Sequence, residues 1–515
     1  MSSIPHAPDS QPSHPLGPAP LVSTPAGAVR GVMLGPSQAG YLGIPYAEPP
    51  LGPLRYALPV KRACWQGIRE GSRYGATPLR EYMANDTHIP EPSFPGNDTL
   101  LVNVFTPRPT DSSAALPVYV WFHGGGFVTG SPSSPWYDGG AFARDGIVVV
   151  SVSYRLGLDG FGVIAGAPDN RAVHDWILAL EWVHDSIEAF GGDPKRVTIG
   201  GQSAGATAVL TLLSMPSVGH LFTDVTAESP CLITADRAEA TARAGRLAKL
   251  LGIAPTLGAF ASLDERAIFG VQAKMGAKEI GLQYVRNVTR GRGSAMGWSP
   301  VVDGDLIPYR IEDALSRGVG ADKRLLIGAT ANELDVVSQA IPAGFDRLTP
   351  WAALRMAGFG RAAARAYVAV TPGSVRTVLG RMVSDGGFRF NVARMLAARD
   401  SAERDAATVV ETFAYDFRLP SSETGRAAHC IELPFVWDCL DAPKVVERNT
   451  GAHPPQPIAD LMHGAWVRFI VSGDPGWPRY QPTTTEGMVV DTAPMVAPVF
   501  VRESALTASG KATVG

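Results

Sequence analysis

The stretch Arg196-Val-Thr-Ile-Gly-Gly-Gln-Ser-Ala-Gly205 decides the fold of this 515-residue chain. Its β-branched start predicts a buried strand, and residues 206–215 behind it are compatible with a helix. Between them, a sharp turn must hold Ser203 in a strained backbone conformation with its hydroxyl above the sheet, and glycine two positions on either side avoids a collision. This strand, turn and helix context predicts a nucleophilic serine, whereas the bare pattern also fits an ordinary turn serine.

Short β-branched runs alternate with longer helical stretches along the rest of the chain. This alternation predicts an α/β fold with a largely parallel sheet connected by helices. Ligands bind outside the carboxyl ends of such strands, so the polar residues that follow the apolar runs are candidates for chemistry. The four apolar runs are residues 118–122, 147–150, 197–199 and 325–327.

Three further segments have helical spacing. A helix is predicted from Asn170, as its N-cap residue, to Phe190. Segments rich in Ala, Arg and Leu at about 234–290 and 350–405 predict helices added around the sheet and over the site.

A serine hydroxyl needs an imidazole to take its proton and an acid to orient that imidazole. His429 is the best candidate for the base, because it follows a strand-like run at 408–417 and a polar loop. The other downstream histidines lie just past the serine's helix, in a proline-flanked loop and in a predicted helix: His220, His453 and His463.

Glu333 is one candidate for the acid, since it lies in the loop after the predicted strand at 325–327. A glutamate at the start of a helix is favourable without any catalytic role, so its position alone leaves the choice open. Asp303 and Asp305 are the nearest rivals, although their sequence Val301-Val-Asp-Gly-Asp is typical of a tight turn.

The glycine-rich stretch His123-Gly-Gly-Gly-Phe127 follows another predicted strand. Three glycines can form a mere flexible turn, but backbone N–H groups aimed at an oxyanion also need residues without side chains. The partner N–H should come from the residue after the serine, Ala204. We expect His123 to brace this loop rather than to react.

Together these motifs resemble the carboxylesterase family that includes the type-B esterases and cholinesterases, and the likeness covers nearly the whole chain outside two tails. The resemblance implies an α/β-hydrolase fold with a central, mostly parallel sheet, flanking helices and helical insertions over the active site. Besides the serine turn and the glycine stretch, it is carried by Gly40–Pro50, Leu101–Phe105, Ser153–Gly157, Phe190–Pro194 and Gly473–Pro478.

The resemblance also implies that the protein is a serine carboxylesterase acting through a Ser-His-Glu triad and a covalent acyl-enzyme. The resemblance favours Glu333 over Asp303 and Asp305 as the acid. The resemblance implies that Ser203 is the nucleophile, Glu333 the acid and His429 the base. The oxyanion hole is implied to consist of the backbone N–H groups of Gly125, Gly126 and Ala204.

Several positions depart from the family's usual pattern. The first disulfide of the family cannot form, because Gly96-Asn-Asp-Thr99 stands where a cysteine is usual. No tryptophan lies between Arg80 and Gly96, which argues against choline esters as substrates. Gln202 replaces a frequent glutamate, and Leu334 follows the acid where glycine is usual.

The charge balance and the cysteine content indicate which classes of binding partner to expect. With 45 Lys and Arg against 48 Asp and Glu, the formal net charge is −3, and no run of five or six like charges suggests nucleic acid or anionic lipid. We expect a small-molecule ester as the partner, no metal and no cofactor, and no membrane span. The oligomeric state is left open. The four scattered cysteines are expected to be free thiols: Cys64, Cys231, Cys430 and Cys439.

The expected domain organisation is a single catalytic domain between two tails. Residues 1–22 are expected to be a Pro-rich disordered tail without a secretory signal, residues 23–502 the α/β-hydrolase domain, and residues 503–515 a flexible C-terminal tail. The expected compartment is the cytoplasm.

Three alternative functions remain at this stage. One is a binding module on the same fold, although such proteins have lost a triad residue. Another is the hormone-sensitive-lipase-like branch, which is usually shorter and uses aspartate as its acid. The last keeps the mechanism but cleaves an amide, carbamate or lactone.

Overall fold

One large twisted sheet organises the chain and carries most of its strands. The computed structural model describes residues 17–80, 89–232, 234–279, 297–335, 338, 343–406 and 409–508. The strands are β1 Pro18–Thr24, β2 Gly27–Met33, β3 Ala39–Pro45, β4 Ile68–Glu70, β5 Leu101–Thr106, β6 Leu116–Phe122, β7 Val148–Val152, β8 Gly192–Gln202, β9 Asp224–Glu228, β10 Ala235–Asp236, β11 Val301–Val302, β12 Arg324–Thr330, β13 Thr412–Phe417, β14 Glu486–Val490 and β15 Met495–Pro498.

The strand order across the large sheet is β1-β2-β3-β5-β7-β6-β8-β9-β12-β13-β14-β15, with β4 paired to β2. From β7 to β14 all neighbouring strands run parallel, whereas β1, β2, β3 and β5 add an antiparallel edge. The parallel strands therefore all end at the same edge of the sheet, and the loops that follow β6, β8, β9, β12 and β13 lie next to one another.

Helices cover both faces of this sheet, so its central strands are buried on both sides. Every residue of β5, β7, β9 and β13 is buried, including the polar ones such as Asp224 and Asp416. The helices are α1 Gly140–Arg144, α2 Gly157–Phe161, α3 Arg171–Ser186, α4 Ala204–Leu213, α5 Arg237–Leu251, α6 Leu257–Ala261, α7 Glu265–Glu279, α8 Ile311–Ser316, α9 Pro350–Met356, α10 Arg361–Val370, α11 Val375–Ser384, α12 Phe390–Ala406, α13 Leu433–Val436, α14 Gln456–Ser472 and α15 Val501–Ala508.

The four predicted strands are confirmed as β6, β7, β8 and β12, each longer than its apolar run. The segments predicted to be helical contain α5, α6 and α7 in the first case and α9 to α12 in the second. Residues 280–290 of the first segment lie outside the described residues. Between α11 and α12, Asp385–Arg389 forms a π-helical turn.

Asn170 precedes α3 as predicted, but it does not cap the helix with its side chain. Its backbone has φ 54°, and its side-chain amide instead donates to the Val301 carbonyl and to Asp303, each at 2.8 Å. The N-cap interpretation is therefore wrong for the side chain, because a distant strand supplies better partners than the helix end. The same contact ties Asp303 into a turn, where it also accepts from the N–H of Asp305.

Both predicted tail boundaries need correction. Residues 18–22 belong to β1, which pairs antiparallel with β2. Residues 503–508 belong to α15, and Glu503 is buried in an ion pair with Arg389. At the N-terminal end the order comes from a hairpin with the next strand, and at the C-terminal end it comes from the distant Arg389. Residues 1–16 and 509–515 of the predicted tails lie outside the described residues.

Candidate active site

The serine turn joins β8 directly to α4. Ser203 occupies the N-cap position with φ 58° and ψ −119°, a strained conformation for a residue with a side chain. A Cβ atom on Gly205 would collide with the Phe122 carbonyl, and one on Gly201 would collide with Gly205. The predicted steric reason for both glycines is confirmed. Ser203 is 4% exposed, so the serine is buried at this turn.

Glu333 and His429 meet above the same sheet edge, although they are 96 residues apart in the chain. Glu333 lies just beyond β12 and His429 beyond β13, the neighbouring strand. The imidazole Nδ1 is hydrogen-bonded to the Glu333 carboxylate, and the His429 backbone N–H donates to the Glu333 carbonyl at 2.9 Å. Because a carboxylate oxygen accepts and the side-chain N–H of Gln202 donates, the tautomer that satisfies both contacts has its proton on Nδ1 and its acceptor at Nε2.

Two further donors fix the Glu333 carboxylate. Its Oε1 accepts from the Ser229 hydroxyl at 2.7 Å and from the Thr330 N–H at 2.8 Å. Ser229 follows β9, which lies between the strands that precede Ser203 and Glu333. Sequence reasoning missed Ser229, and its place directly after a strand-like run was the signal that could have found it.

The base is not bonded to the serine. His429 Nε2 accepts instead from the side-chain amide of Gln202 at 3.1 Å, and no hydrogen bond joins Ser203 to His429, both of which the structure describes. The Ser203 hydroxyl lies beside the Cys231 thiol. The structure thus brings the predicted acid, Glu333, into contact with the predicted base, His429. The predicted nucleophile, Ser203, directly follows Gln202, whose side chain is bonded to the base.

The glycine-rich loop lies against the serine turn. It follows β6, the neighbour of β8, and a Cβ atom on Gly124 would lie 2.8 Å from the Gln202 carbonyl and 3.3 Å from Ser203 Cβ. Gly125 and Gly126 have φ 111° and 61°, and the Gly125 carbonyl accepts from Thr129 at 2.9 Å. The N–H of Ala204 is the first of α4 and has no helical acceptor.

A buried acid and two rings hold this loop in place. The Glu91 carboxylate accepts from the Thr129 hydroxyl at 2.5 Å and from the Gly130 N–H at 2.8 Å. His123 stacks on Tyr154 at 4.5 Å and donates from Nδ1 to the Gly124 carbonyl at 2.8 Å. Burial lowers the pKa of His123 to about 4, so the ring is neutral at pH 7. His123 therefore holds the glycine-rich loop in place, as expected.

Two more buried carboxyl groups lie behind the acid. Burial raises the pKa of Glu228 to about 8, and Trp466 donates to Glu228 Oε1 at 3.0 Å. Burial, together with the negative charges of Glu333 and Glu228, raises the pKa of Glu432 well above its usual value. Burial therefore favours the protonated form of Glu228 at neutral pH and opposes ionisation of Glu432. Nothing in the local sequence around either residue indicates this burial.

The other histidines considered for the role of base lie elsewhere in the fold. His463 is buried in α14, where its Nδ1 donates to the Val436 carbonyl at 2.8 Å and its Nε2 lies 2.9 Å from Asp145. His453 lies in a loop. All four cysteines are free thiols, as predicted. In the part of the chain that the structure describes, no three metal-ligating side chains are placed to hold an ion, and no helix is long and apolar enough to cross a membrane.

A strained serine between a parallel strand and a helix, with an acid and a histidine after later strands of one sheet, defines an α/β-hydrolase. Solved structures show the same fold. The crystal structure of the Geobacillus stearothermophilus carboxylesterase EST55 at pH 6.2 has a TM-score of 0.80 and 28% identity, covering 94% of this chain and 99% of that one. A PNB esterase structure has a TM-score of 0.78 and 27% identity, covering 92% and 96%.

The sequence comparisons identify the family. The model of the "Carboxylesterase family" matches residues 18–498. The para-nitrobenzyl esterase of Bacillus subtilis (strain 168) is 30% identical, covering 92% of this chain and 95% of its own length. The phenmedipham hydrolase of Pseudarthrobacter oxydans is 31% identical, covering 92% and 95%. The chain belongs to the carboxylesterase family, and it is a carboxylic-ester hydrolase.

Proposed function

We propose that this enzyme hydrolyses small-molecule carboxylic esters through a Ser203, His429 and Glu333 triad and a covalent acyl-enzyme. The observation that carries the proposal is the buried hydrogen bond between His429 Nδ1 and the Glu333 carboxylate, with the other ring nitrogen, Nε2, bonded to Gln202 of the serine turn. An imidazole oriented in this way can accept the proton of the serine hydroxyl.

In the first half-reaction, the Ser203 Oγ attacks the ester carbonyl carbon while its proton passes to His429 Nε2. Glu333 stabilises the imidazolium, and the donors Ser229 and Thr330 keep that carboxylate in position. Collapse of the tetrahedral intermediate breaks the bond to the alcohol oxygen, which takes the proton from Nε2. The alcohol leaves, and the acyl group stays bonded to Oγ.

In the second half-reaction, a water molecule gives a proton to His429 Nε2 and attacks the acyl carbon. The bond to Oγ then breaks, Ser203 regains its proton, and the carboxylic acid leaves. Both tetrahedral intermediates carry a negative oxygen, which we assign to the N–H groups of Gly125, Gly126 and Ala204. The positive end of the α4 dipole adds to this stabilisation, because Ala204 is its first residue.

Ser203→Ala tests the triad directly. With p-nitrophenyl acetate as substrate, we expect kcat to fall by about 10⁶, the loss that removal of a triad nucleophile causes in a comparable enzyme. The matched control is Ser214→Ala, since Ser214 is buried at the other end of α4 and its hydroxyl donates to the Thr211 carbonyl. A kcat of the Ser203 variant within about tenfold of the parent, or its labelling by a fluorophosphonate, would contradict the proposal.

We also propose the cytoplasm as the compartment. The four cysteines are free, and two of them, Cys231 and Cys430, are buried close to the candidate site. Proteins of reducing compartments keep such thiols unpaired. Fractionation of the cells that make the protein is the test, and recovery of the enzyme outside the cytoplasmic fraction would contradict it.

A further inference from the structure

A buried carboxylate from a distant segment lies beneath the glycine-rich loop. Glu91 belongs to the segment between β4 and β5, and its side chain is 7% exposed. One oxygen of this carboxylate, Oε2, accepts from both the Thr129 hydroxyl at 2.5 Å and the Gly130 N–H at 2.8 Å. A single atom therefore holds two consecutive residues at the end of the loop.

Thr129 and Gly130 are packed directly against the glycines of the loop. The Thr129 N–H donates to the Gly125 carbonyl at 2.9 Å, and a Cβ atom on Gly125 would lie 2.3 Å from the Thr129 carbonyl oxygen. A Cβ atom on Gly130 would lie 2.2 Å from the Gly124 carbonyl oxygen. Because so little space separates the two halves of this turn, a shift of Thr129 or Gly130 must move Gly124 and Gly125 as well.

Hydrogen bonds hold the carbonyl groups of the loop. The carbonyls of residues 123, 124, 125 and 127 are bonded by the Tyr154 hydroxyl, the His123 ring, the Thr129 N–H and the Gly157 N–H, at 2.7, 2.8, 2.9 and 2.7 Å. Among the residues that the structure describes, none accepts from the N–H groups of Gly125 and Gly126. The direction of these two N–H groups therefore depends on the contacts that hold the carbonyls and the end of the loop.

A buried arginine fixes the position of Glu91. The Arg80 side chain is 4% exposed, and its Nε lies 3.6 Å from Glu91 Oε2. Its guanidinium also donates to the carbonyls of Pro78 and Glu91, each at 3.2 Å, and to the carbonyl of Pro92. The carboxylate therefore cannot turn away from Thr129 without leaving a buried positive charge less compensated.

Oxyanion donors are effective only when they are placed correctly. Each N–H group must lie about 2.7–3.1 Å from the oxygen that becomes negative, and a misplacement of about 1 Å can cost about 10²-fold in rate. The ester carbonyl of the bound substrate carries less charge, so misplaced donors weaken binding of the transition state more than binding of the substrate. A displaced loop should therefore lower kcat rather than raise KM.

Building on the proposed function, we propose that Glu91, held in place by Arg80, is a positioning residue of the oxyanion hole. Its carboxylate directs the N–H groups of Gly125 and Gly126 through the two residues that it bonds, and it does not touch the substrate. The segment before β5 thus contributes to catalysis, although it carries no residue of the triad.

Two substitutions of Glu91 separate its acceptor role from its bulk. Glu91→Met has a similar length but no comparable acceptor, and its kcat for p-nitrophenyl acetate should fall by about 10–100-fold, with KM within about twofold of the parent. Glu91→Gln keeps one oxygen that can accept both bonds, so it should recover most of this loss.

The matched control is Glu48→Met, which should keep the parental kcat. The Glu48 carboxylate also bonds an arginine and a backbone N–H, those of Arg62 at 3.1 Å and Ala63 at 2.8 Å, but neither belongs to the glycine-rich loop.

A transition-state analogue provides the second readout. In its complex with a trifluoromethyl ketone, the Ser203 Oγ bonds to the ketone carbon, the hydroxyl proton passes to His429, and the carbonyl oxygen becomes an oxyanion in the hole. The affinity for this inhibitor should fall in Glu91→Met by the same factor as kcat/KM. Thr129→Val removes the hydroxyl donor but keeps the shape of the side chain, and it should show a smaller fall in both quantities.

Complete labelling by a fluorophosphonate on prolonged incubation shows that a variant is folded. A parental kcat in labelled Glu91→Met protein, a rise in KM alone, or an unchanged inhibitor affinity while kcat falls would each overturn the proposal. If Glu91→Met does not label, Thr129→Val decides, and a parental kcat of that variant overturns the proposal. If the parent enzyme neither labels nor hydrolyses any ester, the proposed function itself fails, which is a separate result.

Discussion

The side-chain amide of Gln202 donates a hydrogen bond to Nε2 of His429 across 3.1 Å. In the proposed mechanism the lone pair of His429 Nε2 must accept the hydroxyl proton of Ser203, the residue after Gln202. The amide and the serine hydroxyl therefore compete for one acceptor. The structure shows the amide bonded to it, with the imidazole also held by Glu333 at its other nitrogen.

Replacement of Gln202 by methionine should release the base. Methionine has a similar length but no donor, and loss of a competing hydrogen bond worth about 0.5–1.5 kcal/mol predicts fluorophosphonate labelling about 2–10 times faster. Stopped-flow measurement of the labelling rate checks this. Gln456→Met removes an exposed amide that bonds Asp438 and Asp460, and it should leave the rate unchanged. Slower labelling of the Gln202 variant would mean that the amide positions the ring.

Gly125→Ala should disable the proposed oxyanion hole. Gly125 has φ 111°, and an added Cβ would collide with the Thr129 carbonyl, so the loop must shift. Loss of one oxyanion donor predicts a fall in kcat of about 10²–10³ with little change in KM. Gly245→Ala is the control, because a Cβ on that helical glycine meets nothing within 4 Å. Near-parental turnover in the Gly125 variant would remove this loop from the mechanism.

Glu228 should make the protein less stable as the pH rises. Burial raises its pKa from 4.5 to about 8 in the folded chain, so between these values only the unfolded chain loses the proton. The resulting stabilisation is complete below 4.5 and is lost as the pH passes about 8, with a size on the order of 4 kcal/mol. The midpoint of urea unfolding, measured across this range, should fall less steeply for Glu228→Gln.

The amide of that variant keeps an acceptor for the indole N–H of Trp466, which bonds Glu228 at 3.0 Å. Glu70→Gln, at an exposed position, is the control for an ordinary glutamate. Equal pH dependence of the parent and Glu228→Gln proteins would show that this carboxyl is not held neutral.

Glu503→Gln should destabilise the fold by about 3 kcal/mol, because it breaks a buried ion pair and leaves the Arg389 charge less compensated. Burial opposes ionisation of Glu503, but Arg389 and Arg502 prevail and lower its pKa to about 2. The carboxylate therefore stabilises the protein above its ordinary pKa of 4.5, and this contribution is lost as the pH falls towards 2.

Urea unfolding of the parent and Glu503→Gln proteins at neutral pH measures this difference. The exposed pair Arg30 and Glu70 provides the matched comparison, since Glu70→Gln should cost at most about 1 kcal/mol. A cost for Glu503→Gln as small as this would show that the buried ion pair with Arg389 contributes little to the stability of the fold.

Much of the candidate site could be predicted from the sequence because its requirements are local. The serine turn needs a glycine two residues to either side for steric reasons that involve only neighbouring residues and the adjacent strand. The glycine-rich loop and the loop of Glu333 were recognisable by their places after apolar runs. The choice of Glu333 over other acids needed the family resemblance, since an acid after a strand is common.

The remaining features depend on which strands are neighbours. Ser229 reaches Glu333 across 104 residues of chain, and Gln202 reaches His429 across 227, only because β8, β9, β12 and β13 are adjacent in the sheet. The same holds for Glu503, whose polar surroundings in the sequence predicted a tail. Its partner Arg389 lies 114 residues away.

The amino-acid sequence by itself determined the strand and helix pattern and identified the serine turn and the glycine-rich loop, because apolar periodicity and the spacing of glycines are properties of residues close in the chain. Only the tertiary structure decided that Glu333 is hydrogen-bonded to His429, that burial keeps Glu228 protonated and that the Gln202 amide is bonded to Nε2 of His429. Those properties depend on burial and on distances of about 3 Å between residues from different strand ends, the range over which hydrogen bonds act.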